Sequence, residues 1–244
     1  MGLFGGKKGE IIPEVKKGKK KLKDRYYEHD YEGDLVNGKA HGKGKMELDA
    51  MGEIYEGDFF KNKRTGKGKV TAYNIHGGVR FSYEGDYVNG MLNGKGKYIS
   101  STEEYEGDFI DGSEHGKGKI TSCLGEVYEG DFIEGYIVKG KFTEKNGNIY
   151  EGDFDHRRLR HGKGKLMSKN GDVYEGDFDS GDFQGEGIMT YANGKVENGY
   201  WHKNKFLGEG SSGRAKFVEA EKRANKPMSD EEWEARALQD KICP

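Results

Sequence analysis

The phrase Tyr-Glu-Gly-Asp-Phe begins at Tyr55, Tyr105, Tyr128, Tyr150 and Tyr174, and copies ending in Leu35 and Tyr87 begin at Tyr31 and Tyr83. A catalytic motif has to be built only once. A phrase returning at a near-constant step is an architectural unit that cannot bury its own apolar face and must stack on copies of itself. Aligning its glycine gives eight units, starting at Tyr31, Tyr55, Tyr83, Tyr105, Tyr128, Tyr150, Tyr174 and, in degraded form, Glu197, at steps of 24, 28, 22, 23, 22, 24 and 23 residues.

Each unit has a second half: "HGKGK" from His41, His115 and His161, "TGKGK" from Thr65 and "NGKGK" from Asn93. Turn signals such as Asn37-Gly38, Asn89-Gly90 and Asp111-Gly112 separate the halves, and Asn146-Gly147 and Asn170-Gly171 separate units. Each unit therefore reads as a two-stranded hairpin. Strand alternation puts Tyr55, Gly57 and Phe59 on one face and Glu56 and Asp58 on the other, while Gly66, Gly68 and Val70 oppose Lys67 and Lys69. In-register pairing then lays aromatic rings over neighbouring glycines on one side and sets acidic rows against lysine rows on the other. Sixteen strands at about 4.8 Å spacing predict an elongated, twisted, single-layer antiparallel ribbon on the order of 75 Å long.

Composition agrees with that reading. Of 244 residues, 32% are hydrophobic and 34% charged, too polar for a conventional thick core, yet 15 Tyr and 12 Phe are too many aromatics for a solvated chain. The 41 Gly follow no three-residue period, which excludes collagen. A net charge of −2 argues against nucleic acid as a partner. Charge is uneven: residues 1–25 hold nine Lys and Arg against three Asp and Glu, so 9 − 3 gives +6 and leaves −8 for the rest. Cys123 and Cys243 are too few for a disulfide framework or a thiolate zinc site. No apolar run reaches the roughly 18 residues that cross a bilayer, and "MGLFGGKKGE" has no signal-peptide core, so a cytoplasmic location is expected. Gly2 is placed for N-myristoylation, but Gly6 stands where that signal asks for Ser or Thr.

The Tyr-Glu-Gly-acidic-aromatic strand followed by a Gly-x-Gly strand resembles the MORN (membrane occupation and recognition nexus) repeat, over about residues 31 to 210. The fifth unit departs from the pattern with Lys139 in place of its first glycine. The sixth gains a residue in "DHRRLRHG", and the eighth has Glu197, Asn198 and Tyr200 where Tyr, Glu and Asp are expected. The resemblance implies an all-β array of stacked hairpins in a single curved sheet, with an aromatic groove able to receive a helix. Three segments are expected: a basic arm at 1–30, the array at 31–210, and a helical tail at 211–244, where Pro227 separates two helix-rich stretches and Ser229 with Glu232 has capping-box spacing. Phe217 and Val218, or Trp233 and Ala237, are expected to pack the tail onto the last hairpin and cover its open edge, the alternative being a docking helix for a partner.

For function, the resemblance implies a non-catalytic scaffold or adaptor for cytoskeletal, ciliary (axonemal) or motor-associated proteins. Its groove would be formed by Tyr55, Phe59, Tyr83, Tyr87, Tyr105, Phe109, Tyr128, Phe132, Tyr150, Phe154, Tyr174 and Phe178. The alternative is a peripheral tether on anionic phospholipid through Lys16, Lys17, Lys19, Lys20, Lys21 and Lys23, helped by Arg157, Arg158 and Arg160 on a hairpin tip. Self-association through a terminal strand is a further route, since an open sheet has two edges. No enzyme signature survives inspection. Each "GKG" lies inside a predicted strand, no GxxxxGK[ST] occurs, and His41, His115 and His161 would stand about 10 Å or more apart on stacked units, too far for one metal ion. No cofactor is expected. The linker from Asn74 to Val79 reads as flexible length.

Overall fold

The computed structural model describes residues 14–23, 28–48 and 52–225. The chain divides after Lys145 into two compact units. In the first, the strands are β1 (Lys16–Lys23), β2 (Glu28–Val36), β3 (Lys39–Leu48), β4 (Glu53–Phe60), β5 (Lys63–Tyr73), β6 (Val79–Val88), β7 (Met91–Ser100), β8 (Glu103–Ile110), β9 (Ser113–Ser122), β10 (Val127–Ile133) and β11 (Tyr136–Thr143). Each pairs antiparallel with its neighbours in the chain. The second contains β12 (Ile149–Phe154), β13 (Arg160–Met167), β14 (Val173–Asp179), β15 (Asp182–Thr190), β16 (Val196–His202) and β17 (Lys205–Gly208), paired in the same way, and the helix α1 (Gly210–Ala224). The expected open, antiparallel sheet of stacked hairpins with a short C-terminal helix is what the chain forms.

One boundary moves. The segment expected as a free basic arm contributes β1, which pairs with β2 so that Gly18 faces Gly33 and Lys17 and Lys19 face Asp34 and Glu32. This is the same register in which β3 meets β4. "KGK" at Lys17 to Lys19 is thus the second half of a unit whose first half is not recognisable in the sequence.

The repeated phrase has a physical task for each residue. The Tyr55 ring lies flat along the sheet over Gly57 and over Gly68 of the partner strand, so closely that a Cβ on either glycine would occupy the ring's place. Its hydroxyl donates to the carbonyl of Asp58 at 3.1 Å. The same bond recurs at Tyr31, Tyr83, Tyr105, Tyr150 and Tyr174, each to the carbonyl three residues on, at 2.7–3.2 Å. The phrase's last ring stands edge-on between two tyrosines: Phe59 meets Tyr55 at 5.2 Å and Tyr31 of the preceding unit at 4.9 Å between centroids. Tyr87, Phe109 and Phe132 continue the zigzag, and Phe154, Phe178 and Trp201 repeat it in the second compact unit. Edge-to-face pairs of this kind contribute about 0.5–1.5 kcal/mol each beyond area burial, so a layer too thin for an ordinary core acquires one.

The aspartate forms the joint. Asp58 Oδ2 accepts the backbone N–H of Lys67 at 3.1 Å, across a β-bulge in which Gly66 has φ +57, a left-handed conformation open to glycine. Asp34, Asp86, Asp108 and Asp177 make the same bond.

Departures in sequence become departures in packing. In the fifth unit Gly140 pairs with Gly130 as Gly68 pairs with Gly57, so it is Val138, not the expected Lys139, that stands at the place of the bulge glycine; the register shift moves to Asp131/Phe132, and Tyr128 stacks face to face on Phe142 at 4.2 Å between centroids. The Asn74 linker is a built turn rather than slack chain, because Asn74 Oδ1 accepts the N–H groups of His76 and Gly78. Helix α1 packs against β16 and β17; Phe217 lies against the rings of Tyr200 and His202, and Gln184 donates to Glu221 at 2.5 Å. Val218 is exposed instead of packed. Pro227, Ser229, Glu232, Trp233 and Ala237 lie outside the described residues.

Two substitutions test this core. Gly68→Ala displaces the Tyr55 ring and is expected to cost about 3–5 kcal/mol, as loss of a buried aromatic does, read as a lower denaturation midpoint. Tyr87→Phe removes a buried hydroxyl without a hydrogen-bond partner and restores the phrase's usual ring. It should raise the midpoint or leave it unchanged; a fall beyond about 1 kcal/mol counts against the packing described.

Burial lifts the hydroxyls of Tyr31, Tyr55, Tyr83 and Tyr150 to about 12 and pushes Tyr87, Tyr105 and Tyr174 upward as well. Because these folded values exceed the unfolded value near 10, the stabilisation is complete below pH 10 and is lost as pH rises through 12. In an alkaline titration, phenolate absorbance from these residues should appear together with loss of β circular dichroism. Their ionisation near pH 10 in an intact sheet would contradict the burial.

Candidate functional site

The face opposite the rings carries the charges. Lys43, Lys67, Lys95 and Lys117 each reach the aspartate of the following strand, at Asp58, Asp86, Asp108 and Asp131, over 2.6–2.8 Å, and Lys163 reaches Asp177 at 2.6 Å. Most of these aspartates thus hold the preceding strand by a lysine side chain and the following strand by a backbone N–H. The Lys17 and Lys95 ammonium groups, with the N–H bonds from Lys43 and Lys117, hold the carboxyls of Asp34 and Asp108 below the usual carboxylate range. The glutamate row is looser, with Lys69 to Glu84 at 3.7 Å and Lys165 to Glu175 at 3.4 Å. Between the two rows in residues 43–130 runs an open trough of about 1310 Å³ floored by glycines from Gly57 to Gly130. Seven lysines and four glutamates line it, and four of the lysines, Lys43, Lys67, Lys95 and Lys117, are already paired with aspartates, so little net field is left for a ligand of one charge.

A second surface follows from the residue just after the phrase. Phe60, Val88, Ile110 and Ile133 hold that position in successive units and are 50%, 52%, 49% and 51% exposed. Met91 and Tyr136, their cross-strand partners at Val88 and Ile133, are exposed too. Two strands separate successive members, a step of roughly 10 Å, and the result is an apolar rim along the hairpin tips. In the second compact unit the same position holds Asp155 and Asp179. The rim is readable in the sequence as Phe60, Val88, Ile110 and Ile133 at one fixed offset from the phrase.

The residues expected to form an aromatic groove lie elsewhere in the packing. Tyr55, Phe59, Tyr83, Tyr87, Tyr105, Phe109, Phe132, Tyr150, Phe154, Tyr174 and Phe178 are buried, and Tyr128 is half-buried. They constitute the core, so an open groove lined by their faces does not describe the structure; among the described residues the exposed Phe and Tyr rings are Phe60 and Tyr136 of the rim and Tyr73. The basic residues are likewise engaged. Lys17, Lys19 and Lys21 pair with Asp34, Glu32 and Asp30, Lys16 with Glu14, and Lys23 stands opposite Glu28. Lys20 points to the other face, where its Nζ donates to the Gly38 carbonyl at 2.8 Å. At the hairpin tip, Arg157 is held by Asp155 and Ser180, and Arg158 and Arg160 also have partners.

Among the described residues no group of three or more His, Cys, Asp or Glu is arranged to hold a metal ion, and no helix is long and apolar enough to cross a membrane. The MORN repeat model matches residues 31–48, 55–74, 83–102, 105–123, 150–173 and 174–196, which together make up half of the chain. It passes over the units beginning at Tyr128 and Glu197, which form hairpins nonetheless. No curated protein matches the chain. With this match and the stacked hairpins that carry it, the chain belongs to the MORN repeat family, a family of scaffold and membrane-binding repeats that are in general non-enzymatic.

Proposed function

We propose that this protein is a non-catalytic scaffold that holds partner proteins along the apolar rim and the adjoining trough of residues 14–145. The observation that carries this reading is the rim itself, where Phe60, Val88, Ile110 and Ile133 stay exposed at one repeated position just after the phrase while the rings of the phrase in their units are buried or half-buried. A row of exposed apolar side chains at one repeated position, interrupted by Lys63 and Ser113, on a chain of mean hydropathy −0.98 is a surface suited to contact. The alternating charges beside it favour a protein carrying both signs and disfavour nucleic acid, whose phosphates need a basic field. A cytoplasmic setting in a cytoskeletal or ciliary (axonemal) assembly, with filament or motor-associated partners, rests on the family resemblance.

The second reading, a tether on anionic phospholipid, is supported by the exposure of Lys17 and Lys19, at 77% and 78% of their side chains. Each already faces a carboxylate, so little net positive field is left over for a membrane.

Both readings have a direct test. The double variant Val88→Asp/Ile110→Asp should keep its circular dichroism and unfolding midpoint, because both side chains are exposed, yet lose at least about tenfold in cross-linked recovery from the detergent-insoluble skeleton, as truncation of interface anchors does. Undiminished recovery would refute the rim. For the tether, salt-sensitive binding to phosphatidylserine vesicles, abolished by removing residues 1–25, is the expected result; no binding would exclude it.

A further inference from the structure

We propose that the outer edge of β1 is a docking strand for an acidic extended segment of a partner protein, added to the sheet as one more antiparallel strand. Acidic and basic strands alternate through residues 16–145. In β3, Lys45 stands opposite Glu32 on one side and Glu56 on the other, and Gly44 lies between Gly33 and Gly57. Strand β1 has the same basic pattern and the same register toward β2, but among the described residues nothing pairs with its other side. Its edge therefore presents the backbone donors and acceptors that make a terminal strand a template for another chain.

The sheet also specifies what that chain should carry. The backbone N–H of Lys43 is accepted by Asp34 of the preceding strand, and those of Lys67, Lys95 and Lys117 by Asp58, Asp86 and Asp108. Lys17 holds the place of Lys43 in β1, facing Asp34 as Lys43 faces Asp58. No counterpart of Asp34 precedes it among the described residues. Lys16 stands where Gly42 opens the bulge, so an incoming strand with carboxylates on alternate residues around a glycine would pair its charges with the Lys17 and Lys19 side chains, as Glu32 stands opposite Lys45.

The other occupants fit less well. Residues 1–13 contain Lys7 and Lys8 against Glu10, so the preceding segment is itself basic. A second copy joined edge to edge through β1 would set lysine against lysine. Its other terminal strand, β17, begins with Lys205 and packs against α1. This inference uses none of the rim residues, so it stands or falls separately from the scaffold reading.

The probe is a fluorescent peptide copying Glu53 to Phe60, with a control in which the residues matching Glu56 and Asp58 are lysine. Anisotropy with the full chain should show saturable binding, at least tenfold weaker for the control peptide and for the Lys17→Gln/Lys19→Gln variant, and unchanged for Val88→Asp/Ile110→Asp. Hydrogen exchange should show new protection at the Lys17 amide. The control peptide alters nothing in the chain, so its result holds even if the variant loosens β1. Absence of binding, or equal binding of both peptides, overturns the proposal. Binding only after residues 1–13 are removed overturns it in favour of the chain's own segment, and a peptide-competable doubling of mass in light scattering overturns it in favour of a second copy.

Discussion

Everything in this sheet depends on a tyrosine laid flat on two paired glycines. A single β-layer has no second layer to bury an aromatic ring, and the chain solves this by removing the side chains beneath it. Gly57 and Gly68 leave a bare strip on which the Tyr55 ring rests, and the hydroxyl is satisfied by the Asp58 carbonyl of its own strand. The ring is thereby desolvated without leaving its phenol unpaired, a condition that buried tyrosines must meet. Once the tyrosines lie flat, the next ring can stand upright between two of them, and each unit becomes the neighbour that its successor requires.

The aspartate explains why this stacking keeps its register. A glycine pair alone would tolerate slippage, because glycine offers no side chain to distinguish one alignment from another. Asp108 removes that freedom by taking the Lys95 ammonium from one side at 2.7 Å and the Lys117 N–H from the other at 3.1 Å. A shift by one residue would break both bonds and would also turn every ring outward. The left-handed glycine at Gly116, φ +59, puts that N–H within reach of the carboxylate. The bulge is therefore part of the same device that fixes the charge rows.

Much of this was legible in the sequence because the repeat multiplies a weak signal. One Tyr-Glu-Gly-Asp-Phe says little, but its recurrence fixes hairpins, faces and the ring-over-glycine contact. What the sequence did not disclose had particular causes. Strand β1 was hidden because "KKGKKKLK" has lysine at the place of Gly42 and Met46, and a lysine run looks like a solvated arm until Asp34 and Glu32 are seen opposite it. The depth of burial of Phe59 and Tyr105 was missed because alternation assigns a residue to a face but cannot say whether neighbouring units close over that face. Arg157 looked free for the same reason: its partner Ser180 belongs to the next hairpin.

A repeat of this kind also limits where recognition can reside. Positions that every unit needs for stacking cannot vary without loss of the array, so they are poor places to encode a particular partner. Variation is tolerated where a side chain touches neither the glycine strip nor the aspartate joint. The position after the phrase meets that condition, since Phe60, Val88, Ile110 and Ile133 change size while Tyr55, Phe59, Tyr83, Tyr87, Tyr105, Phe109 and Phe132 keep one edge-to-face scheme. The outer side of β1 meets it in a different way, because among the described residues β1 is paired on one side alone. The two surfaces differ in chemistry, one apolar and one basic, and share no residue, so the two proposed contacts would not compete for the same side chains.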